Sequence, residues 1–423
     1  MIRRTYHDPL HGAISLDARD PAEALAIDLI DTVPFQRLRR IRQLGPAFLT
    51  FHGAESSRFT HSLGVLHLAR QALSGLERDL PALAEQRSVL YAAALLHDVG
   101  HAPLSHSGEE MFGLRHEGWS GRLIREHPAL RHRLEQAGSG TADAVADLLE
   151  HGRHPCAAIQ ALVSSQLDCD RLDYLLRDSY TTGTTYGQLD LERILAALLI
   201  APDGALAIHP KGLMAVEHYL VVRNLMYRSV YNHRLNVICN WLLSEIVALA
   251  RRLGPGQVFS DAVMASWLWP QEPIDLDTFL ANDDLRTGYH LLRWREEGPP
   301  GLQQLCARLL DRRLLKATEV SPLGNCQRLE LLAEARRLSG LAGLDPDLSC
   351  GLRQSQSRGY HPYKGGLRLW DGRTLQALEE RSALVRSLTA KVELAWLIHP
   401  AEVSGEIRAL AAQLQPQPET HLG

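Results

Sequence analysis

A histidine and an aspartate stand side by side at positions 97 and 98, where a long apolar run ends. His61 precedes this pair, and Asp170 follows it. Neighbouring helix residues project about 100° apart, so His97 and Asp98 can both reach one ion near the helix end. Two imidazoles and two carboxylates suit Mn, Fe, Zn, Co or Ni, tolerate Mg, and leave positions open for water or a phosphate oxygen. We therefore predict a divalent metal site built from these four residues.

The spacing of apolar residues predicts a mainly α-helical fold with small β-hairpins. Residues 2–16 alternate around a Pro-Leu-His-Gly turn, and residues 200–210 contain Pro-Asp-Gly, so both segments are predicted hairpins. Gly100 is expected to end the helix that precedes it. Amphipathic runs follow Leu302. Earlier helices are predicted over Glu23–Asp31, Pro34–Arg42, Arg58–Asp79, Ser88–Asp98, Thr141–Glu150, Pro155–Ser164, Asp168–Tyr180, Leu189–Leu199 and Leu213–Leu253.

Helical spacing indicates which polar groups share a face with the proposed ligands. Asp170, Tyr174 and Asp178 fall at i, i+4 and i+8, so a ligand, an aromatic ring and a carboxylate line one stripe. Arg58 precedes His61 by three residues, which places a cation beside the ion, where a polyphosphate needs charge neutralisation. A second stripe of cations and phenols, typical of a nucleotide pocket, is formed by Arg223, Tyr227, Tyr231 and Arg234.

Composition agrees with a soluble cytoplasmic enzyme. The chain has 423 residues, 45% of them hydrophobic, and 45 basic against 49 acidic residues. A net charge of −4 therefore gives no overall attraction to nucleic acid, and single-stranded nucleic acid is not indicated as a partner. The six cysteines form no CxxC pair and are interpreted as reduced thiols. Neither a signal peptide nor an apolar run of membrane-spanning length is recognised, so no membrane association is expected.

Several blocks of sequence resemble the HD-domain deoxynucleoside triphosphate triphosphohydrolases, most closely the SAM-and-HD-domain branch. Besides the His, His-Asp, Asp signature, the similar segments are 8–12 (DPLHG), 30–39 (IDTVPFQRLR), 43–45 (QLG), 58–65 (RFTHSLGV), 96–106 (LHDVGHAPLSH) and 168–178 (DCDRLDYLLRD). The likeness covers about residues 2–240. It implies an HD-domain helical phosphohydrolase that uses a divalent metal, such as manganese, to convert a dNTP to a deoxynucleoside and inorganic triphosphate.

The resemblance also implies roles for individual residues. His106 would be the general acid, oriented by Glu109, while His101 and His116 would donate hydrogen bonds to phosphate oxygens. Substrate contacts are implied for Gln43, Leu44, Arg58, Arg171, Tyr174, Asp178, Arg223 and Tyr231.

Within that substrate set, two pairs of residues are expected to recognise the sugar. Gln43 and Asp178 would bind the 3′-hydroxyl, because a buried amide and carboxylate are penalised when that hydroxyl is missing. Leu44 and Tyr231 would crowd the 2′ position and so select deoxyribose.

A regulatory site for a guanine nucleotide, dGTP or GTP, is also implied by the resemblance. At this site the chain departs from the family pattern at His209 and Ala215, where the regulated relative has arginine and asparagine. Assembly as a homo-oligomer, a dimer, tetramer or hexamer, is expected from the family. The residues that match the activator site are Asp31, Gln36, Arg39 and Lys211.

We predict three segments. Residues 1–250 would form the HD-type catalytic core with the N-terminal hairpin and nucleotide-pocket helices. Residues 251–412 would be a helical region for oligomerisation or regulation, and residues 413–423 a disordered tail. Two alternatives stay open: an HD phosphohydrolase of another nucleotide, such as a monophosphate, an alarmone or a cyclic dinucleotide, and a nucleotide sensor without turnover.

Overall fold

The computed structural model describes residues 3–362 and 366–415, and these are mostly helical with small sheets, as predicted. The chain divides into two compact units. The first consists of Met1–Ser229, Gln271–Thr287 and Gly359–Ala390, and the second of Val230–Pro270, Gly288–Arg358 and Lys391–Gly423. The catalytic and regulatory roles assigned to segments 1–250 and 251–412 stay predictions.

The first stretch of chain begins with the predicted antiparallel hairpin, β1 (Arg3–Asp8) and β2 (Gly12–Asp17). Gly12 has a φ of +71°, which favours glycine at this turn. The second predicted helix is shorter than expected and continues as a single 3-10 turn, Leu38–Arg40. The helices of this stretch are α1 (Pro21–Ile30), α2 (Val33–Arg37), α3 (Arg58–Leu76), α4 (Arg87–Leu96), α5 (His106–Phe112), α6 (His116–Glu126), α7 (Pro128–Ala137), α8 (Thr141–His151), α9 (Ala157–Val163) and α10 (Cys169–Thr182).

The second predicted hairpin is confirmed, but the long helix predicted after it is wrong. After α11 (Leu191–Ala197), strands β3 (Leu198–Ile200) and β4 (Leu206–Ile208) pair antiparallel. Helix α12 (Leu213–Met226) then gives way to a π-helical segment, Tyr227–Tyr231, before α13 (Arg234–Leu253).

Local hydrogen bonds explain this interruption. The Asn236 side chain donates to the Val230 carbonyl at 2.8 Å, and the His233 ring accepts from the Leu235 amide at 3.3 Å. Because a π turn shifts the helical register, the predicted stripe from Arg223 to Arg234 does not run along one regular helix.

The last stretch contains strands that the sequence pattern did not indicate. Strands β5, β9 and β6 form an antiparallel sheet in the second unit, and β3, β4, β7 and β8 form a sheet in the first. The elements are α14 (Ala262–Leu268), α15 (Leu276–Leu280), α16 (Asp284–Glu297), α17 (Pro300–Leu310), β5 (Lys316–Glu319), α18 (Asn325–Leu341), β6 (Gly351–Ser357), β7 (Arg368–Trp370), β8 (Leu375–Ala377), α19 (Leu378–Arg381), α20 (Ala383–Ser387), β9 (Val392–His399) and α21 (Ser404–Leu414).

The second unit has its own apolar core, which explains the unexpected strands. Strand β9 contributes Ala395 and Leu397 to this core, together with buried residues of α18 and α21. Strand β6 (GLRQSQS) carries little apolar signal of its own and is held by pairing with β9. Of the predicted tail 413–423, Gln413 and Leu414 belong to α21, and residues 416–423 lie outside the described residues.

The packing of α3 positions the predicted metal ligands. Helix α3 packs against both α4 and α10, and α4 is buried continuously from Leu90 to Leu96. Gly100 does not end α4, which stops at Leu96. Instead, a Cβ at Gly100 would lie 2.3 Å from the His116 carbonyl oxygen, so glycine permits the close approach of α6. In the part of the chain that the structure describes, no helix combines the length and apolar character needed to cross a membrane.

Candidate active site

The four predicted metal ligands converge. His61 Nε2 lies 3.0 Å from Asp170 Oδ1, 3.2 Å from His97 Nε2 and 3.6 Å from Asp98 Oδ2. His97 Nε2 lies 3.3 Å from Asp98 Oδ2 and 3.8 Å from Asp170 Oδ1. Ligand atoms about 2.1 Å from a common ion are themselves roughly 3 to 3.5 Å apart. The ligand atoms of His61, His97 and Asp170 all lie within 4.8 Å of one another and therefore fit one divalent ion, and Asp98 Oδ2 lies next to both histidines.

The electrostatics of this site are those of a cluster that requires positive charge. Burial lowers the pKa of His61, but its hydrogen bonds to Asp170 and Asp173 outweigh burial and raise it to about 10. Burial raises the pKa of Asp170, whereas its contacts with His61 and His97 lower it to about 2. The carboxylates are thus ionised, and a dication matches the charge that they concentrate.

Asp173 is a central residue of the site that sequence reasoning missed. Its Oδ2 lies 2.7 Å from His61 Nδ1, and its Oδ1 lies 2.6 Å from His11 Nε2. Arg177 donates to both oxygens, at 2.8 and 3.0 Å. A Cβ at Gly64 would lie only 1.9 Å from Asp173 Oδ1, so glycine is required there. A carboxylate behind a metal-binding histidine fixes its ring orientation and tautomer.

The turn of the N-terminal hairpin is tied to this network. Asp8 Oδ1 accepts from the backbone amides of Leu10 and His11 at 2.9 Å, and its Oδ2 accepts from Arg177 at 2.8 Å. The turn thus holds the His11 ring against Asp173. The i, i+4 spacing of Asp173 and Arg177 was the available sequence signal, because such pairs form ion pairs on a helix.

Two further contacts orient the histidine-aspartate pair. His97 Nδ1 lies 2.9 Å from the Ala94 carbonyl, which leaves Nε2 for an ion. Arg58, expected to meet a polyphosphate, is buried; it donates to Asp98 Oδ2 at 2.5 Å and to Ser105 Oγ at 2.7 Å. The guanidinium therefore holds a predicted metal ligand directly, and its contact with phosphate stays a prediction.

The predicted acid-base residues form a second cluster around one carboxylate oxygen. Glu109 Oε1 lies 2.5 Å from His116 Nδ1, 3.1 Å from His101 Nδ1 and 3.3 Å from His106 Nδ1. Its closest partner is thus His116, although it also contacts His106, the residue it was expected to orient. The His101 and His116 rings stack with centroids 4.0 Å apart. His101 Nε2 lies 3.1 Å from Asp98 Oδ1, so the two clusters adjoin.

The segment that leads into the second cluster has a strained backbone. Leu104 and Ser105 have positive φ values of 61° and 59°. Asp284 holds this segment, because its carboxylate accepts from the backbone amides of Leu104 at 2.7 Å and Arg42 at 2.9 Å. A buried carboxylate thus secures the strained approach to His106.

Asp284 gives a pH-dependent prediction. Burial raises its pKa to about 6, only partly offset by the two backbone donors, whereas its ordinary value is 3.8. Its contribution to stability is therefore present below about pH 4 and is lost as the pH rises through 6. We expect the stability of the wild type relative to Asp284→Asn to fall by roughly 3 kcal/mol from pH 4 to pH 7. Urea unfolding of both proteins measures this difference; a pH-independent difference would contradict it.

A second group of predicted substrate residues surrounds Tyr174 on α10. Burial raises the pKa of Tyr174 well above its ordinary value; nearby Tyr227 raises it further, while Arg171 and Arg223 act in the opposite direction. Arg223 donates to Gln166 Oε1 at 3.0 Å, and its guanidinium lies 5.8 Å from the Tyr227 ring centre. Two cations and two phenols are therefore neighbours at α10, the helix that also carries Asp170.

The residues predicted to recognise the sugar differ in burial and in the unit to which they belong. Gln43 and Asp178 are both buried, and Gln43 Oε1 has no hydrogen-bond partner among the described residues. An orphaned buried acceptor suits a ligand hydroxyl. Leu44 is half-buried in the first unit, whereas Tyr231 belongs to the second unit.

Three of the four predicted activator residues lie close together, because the Gln36 side chain donates to the carbonyl of Ile30, next to Asp31, at 2.8 Å. Asp31 accepts from Arg4 at 2.5 Å, and this ion pair holds the pKa of the carboxyl below its usual range. Gln36 accepts from Arg39 at 2.8 Å. Lys211 lies in the 3-10 turn before α12 and, within the described residues, makes no hydrogen bond or ion pair with the other three.

Comparison with known proteins matches two family regions in this chain. Residues 58–178 match the HD domain, and residues 189–338 match the HD associated region. An uncharacterized protein of Bacillus subtilis, YwfO, is 33% identical over 398 residues, which cover 92% of this chain and 90% of that protein.

More distant relatives include the deoxynucleoside triphosphate triphosphohydrolase SAMHD1 of Gallus gallus, 28% identical over 283 residues. That match covers 58% of this chain and 45% of the relative. Among solved structures, a phosphohydrolase from Bacteroides thetaiotaomicron superposes with a TM-score of 0.80 at 27% identity, covering 94% of this chain and 99% of that one. The chain thus belongs to the HD-domain phosphohydrolase family, with an HD domain followed by an HD-associated region.

Proposed function

We propose that this protein is a metal-dependent dNTP triphosphohydrolase that releases a deoxynucleoside and intact inorganic triphosphate. The observation that carries the proposal is the 3.1 Å contact between Asp98 and His101, which joins the metal ligands to the acid-base cluster. A phosphate bound at the first cluster would present its ester oxygen to the second. The relatives named triphosphohydrolases support this substrate class.

The chain's own residues can supply the proton that the reaction needs. A divalent ion bound by the four ligands would withdraw charge from the phosphate oxygens and favour attack by water. The α-phosphorus to 5′-oxygen bond breaks, and the departing oxygen takes a proton from His106, whose side chain is 70% exposed. Contacts from three histidines hold the pKa of Glu109 well below its usual range despite burial. Its carboxylate therefore engages Nδ1 of His106 and leaves Nε2 for the substrate.

The remaining residues would bind and orient the nucleotide. His101 and His116 would donate to phosphate oxygens, and Arg58 would add positive charge beside them. Arg171, Tyr174 and Arg223 would bind phosphate, ribose or base. Gln43 and Asp178 would bind the 3′-hydroxyl, supported by Gln43 Oε1, which has no hydrogen-bond partner among the described residues, and Leu44 would exclude a 2′-hydroxyl.

A panel of the four dNTPs tests the proposal directly. With Mn²⁺ present, we expect triphosphate and deoxynucleoside in equal amounts from at least one dNTP, and far less from the matching ribonucleotide. Chromatography of the products measures both. Release of phosphate or pyrophosphate instead would favour a hydrolase of another nucleotide, and tight dNTP binding without product would favour a sensor.

Activation by a guanine nucleotide and assembly as a homo-oligomer are part of the same proposal. We expect Asp31→Ala to keep its metal and its basal turnover but to lose stimulation by dGTP, because a carboxylate suits the guanine N1 and N2 donors. Triphosphate release with and without dGTP measures this. Asp203→Ala is the control, since Asp203 is 49% and Asp31 50% exposed, and each pairs with an arginine. Stimulation that survives in Asp31→Ala would refute this site.

A further inference from the structure

The acid-base cluster also has the composition of a metal site. His101, His106, Glu109 and His116 each offer one ligand atom, and these atoms all lie within 4.8 Å of one another. Three Nδ1 atoms face a single carboxylate oxygen at 2.5 to 3.3 Å. Four N and O donors about 2.1 Å from one ion in tetrahedral geometry are roughly 3.4 Å apart. Two of the three Nδ1–Oε1 distances, 3.1 and 3.3 Å, are therefore close to that spacing.

His101 supplies an independent observation. Its side chain is fully buried, and neither ring nitrogen forms a hydrogen bond with a described residue, although carboxylate oxygens lie 3.1 Å from each. Buried polar atoms normally have partners. A ring that binds an ion through Nδ1, with Asp98 next to Nε2 on its other side, would satisfy both nitrogens.

We infer that this cluster binds a second divalent transition-metal ion through His101, His106, His116 and Glu109. Three imidazoles and one carboxylate form the ligand set of tetrahedral zinc sites. The first site has two carboxylates and suits harder ions as well. The two sites thus differ in preference, and zinc or cobalt rather than magnesium occupies the second.

Occupation of the second site has a consequence that rests on the proposed function. An ion bound at the second site engages His106 and removes it as a proton donor. Excess Zn²⁺ therefore inhibits triphosphate release, even when the first site is filled with Mn²⁺.

Metal stoichiometry of the full-length chain tests the inference without any activity measurement. The protein is stripped with a chelator and titrated with Zn²⁺ in a calorimeter, and bound metal is counted by mass spectrometry. We expect two ions per chain in the wild type and one in Asp170→Asn. In His106→Ala, which changes an exposed side chain and spares the fold, affinity for one of the two ions falls at least about a hundredfold.

A matched control distinguishes this site from chance surface binding. Asp147, Glu150 and His151 form another group with metal-ligand chemistry, but Asp147 and His151 are exposed, and Arg125 pairs with both carboxylates. Asp147→Asn is expected to keep both ions. With Co²⁺, the intense visible absorption of a tetrahedral ion is expected in Asp170→Asn and is lost in His106→Ala.

Three results would overturn the inference: a single ion in the wild type, unchanged affinities in His106→Ala, or loss of one ion in Asp147→Asn. The proposed function can be refuted independently of the second site. Triphosphate release by a protein that binds only one ion would refute the second site alone. Two bound ions without release from any dNTP would refute the hydrolase proposal alone.

Discussion

Asp170→Asn is expected to remain folded while losing both the ion of the first site and triphosphate release. The Asp170 side chain is 34% exposed and isosteric with asparagine, so the fold tolerates the change. The amide lacks the negative charge that balances a dication. It also no longer stabilises positive charge at the His61 ring, whose Nε2 it contacts. We expect turnover to fall by at least about a thousandfold, or roughly 4 kcal/mol in the barrier.

Bound Mn²⁺ and triphosphate release, measured on the same preparation, check this result. Circular dichroism and thermal unfolding confirm that the variant is folded. Asp147→Asn serves as the control, because Asp147 is an exposed carboxylate paired with Arg125 on the surface. Full Mn²⁺ content together with normal release in Asp170→Asn would show that the four-residue cluster is not the metal site.

Asp173→Ala is expected to have the largest effect on stability. Asp173 is fully buried, and the Arg177 guanidinium, also buried, donates to both of its oxygens. Removing the carboxylate leaves a buried cation whose one remaining ionic partner, among the residues that the structure describes, is Asp8. Such losses cost about 3 to 5 kcal/mol. His61 loses the group that orients its ring, so we also expect Mn²⁺ affinity to fall about 10- to 100-fold.

Urea unfolding in the absence of metal gives the free energy of unfolding, and calorimetry gives the Mn²⁺ affinity. Asp17→Ala is a suitable comparison, because Asp17 pairs with Arg19 on the surface, and surface substitutions change stability by about 0.5 kcal/mol or less. A stability loss below about 1 kcal/mol in Asp173→Ala, with unchanged metal affinity, would show that Asp173 does not support the site.

The second of these predictions gives the N-terminal hairpin a role in the metal site. Asp8 holds the turn that presents His11, and both residues contact the Asp173–Arg177 pair. His11→Ala leaves Arg177 and Asp173 paired, so its stability loss is expected to be smaller than that of Asp173→Ala. The DPLHG block therefore has a structural explanation that its sequence alone does not supply.

Local patterns in the sequence predicted the four candidate metal ligands and many of the helices, but not α5, α6 and α7. His97 and Asp98 are neighbours at a helix end, and His61 and Asp170 lie in blocks with recognisable flanks. Their convergence could therefore be predicted before any packing was known. Both hairpins were also predictable, because alternation around a turn is a local signal. Asp170, Tyr174 and Asp178 lie on one continuous helix, α10, as their i, i+4, i+8 spacing predicted.

The pairing of the buried charges depends on the folded structure. Arg58 is buried and pairs with Asp98, a partner that helical spacing did not indicate, and its contact with phosphate stays a prediction. Asp173 and His61 are far apart in the chain, and no local period indicates their 2.7 Å contact. The π-helical break at 227–231 and the sheet around β9 depend likewise on long-range packing. Spacing reports which side chains share a helix face, whereas a buried charge takes its partner from whatever the fold brings within reach.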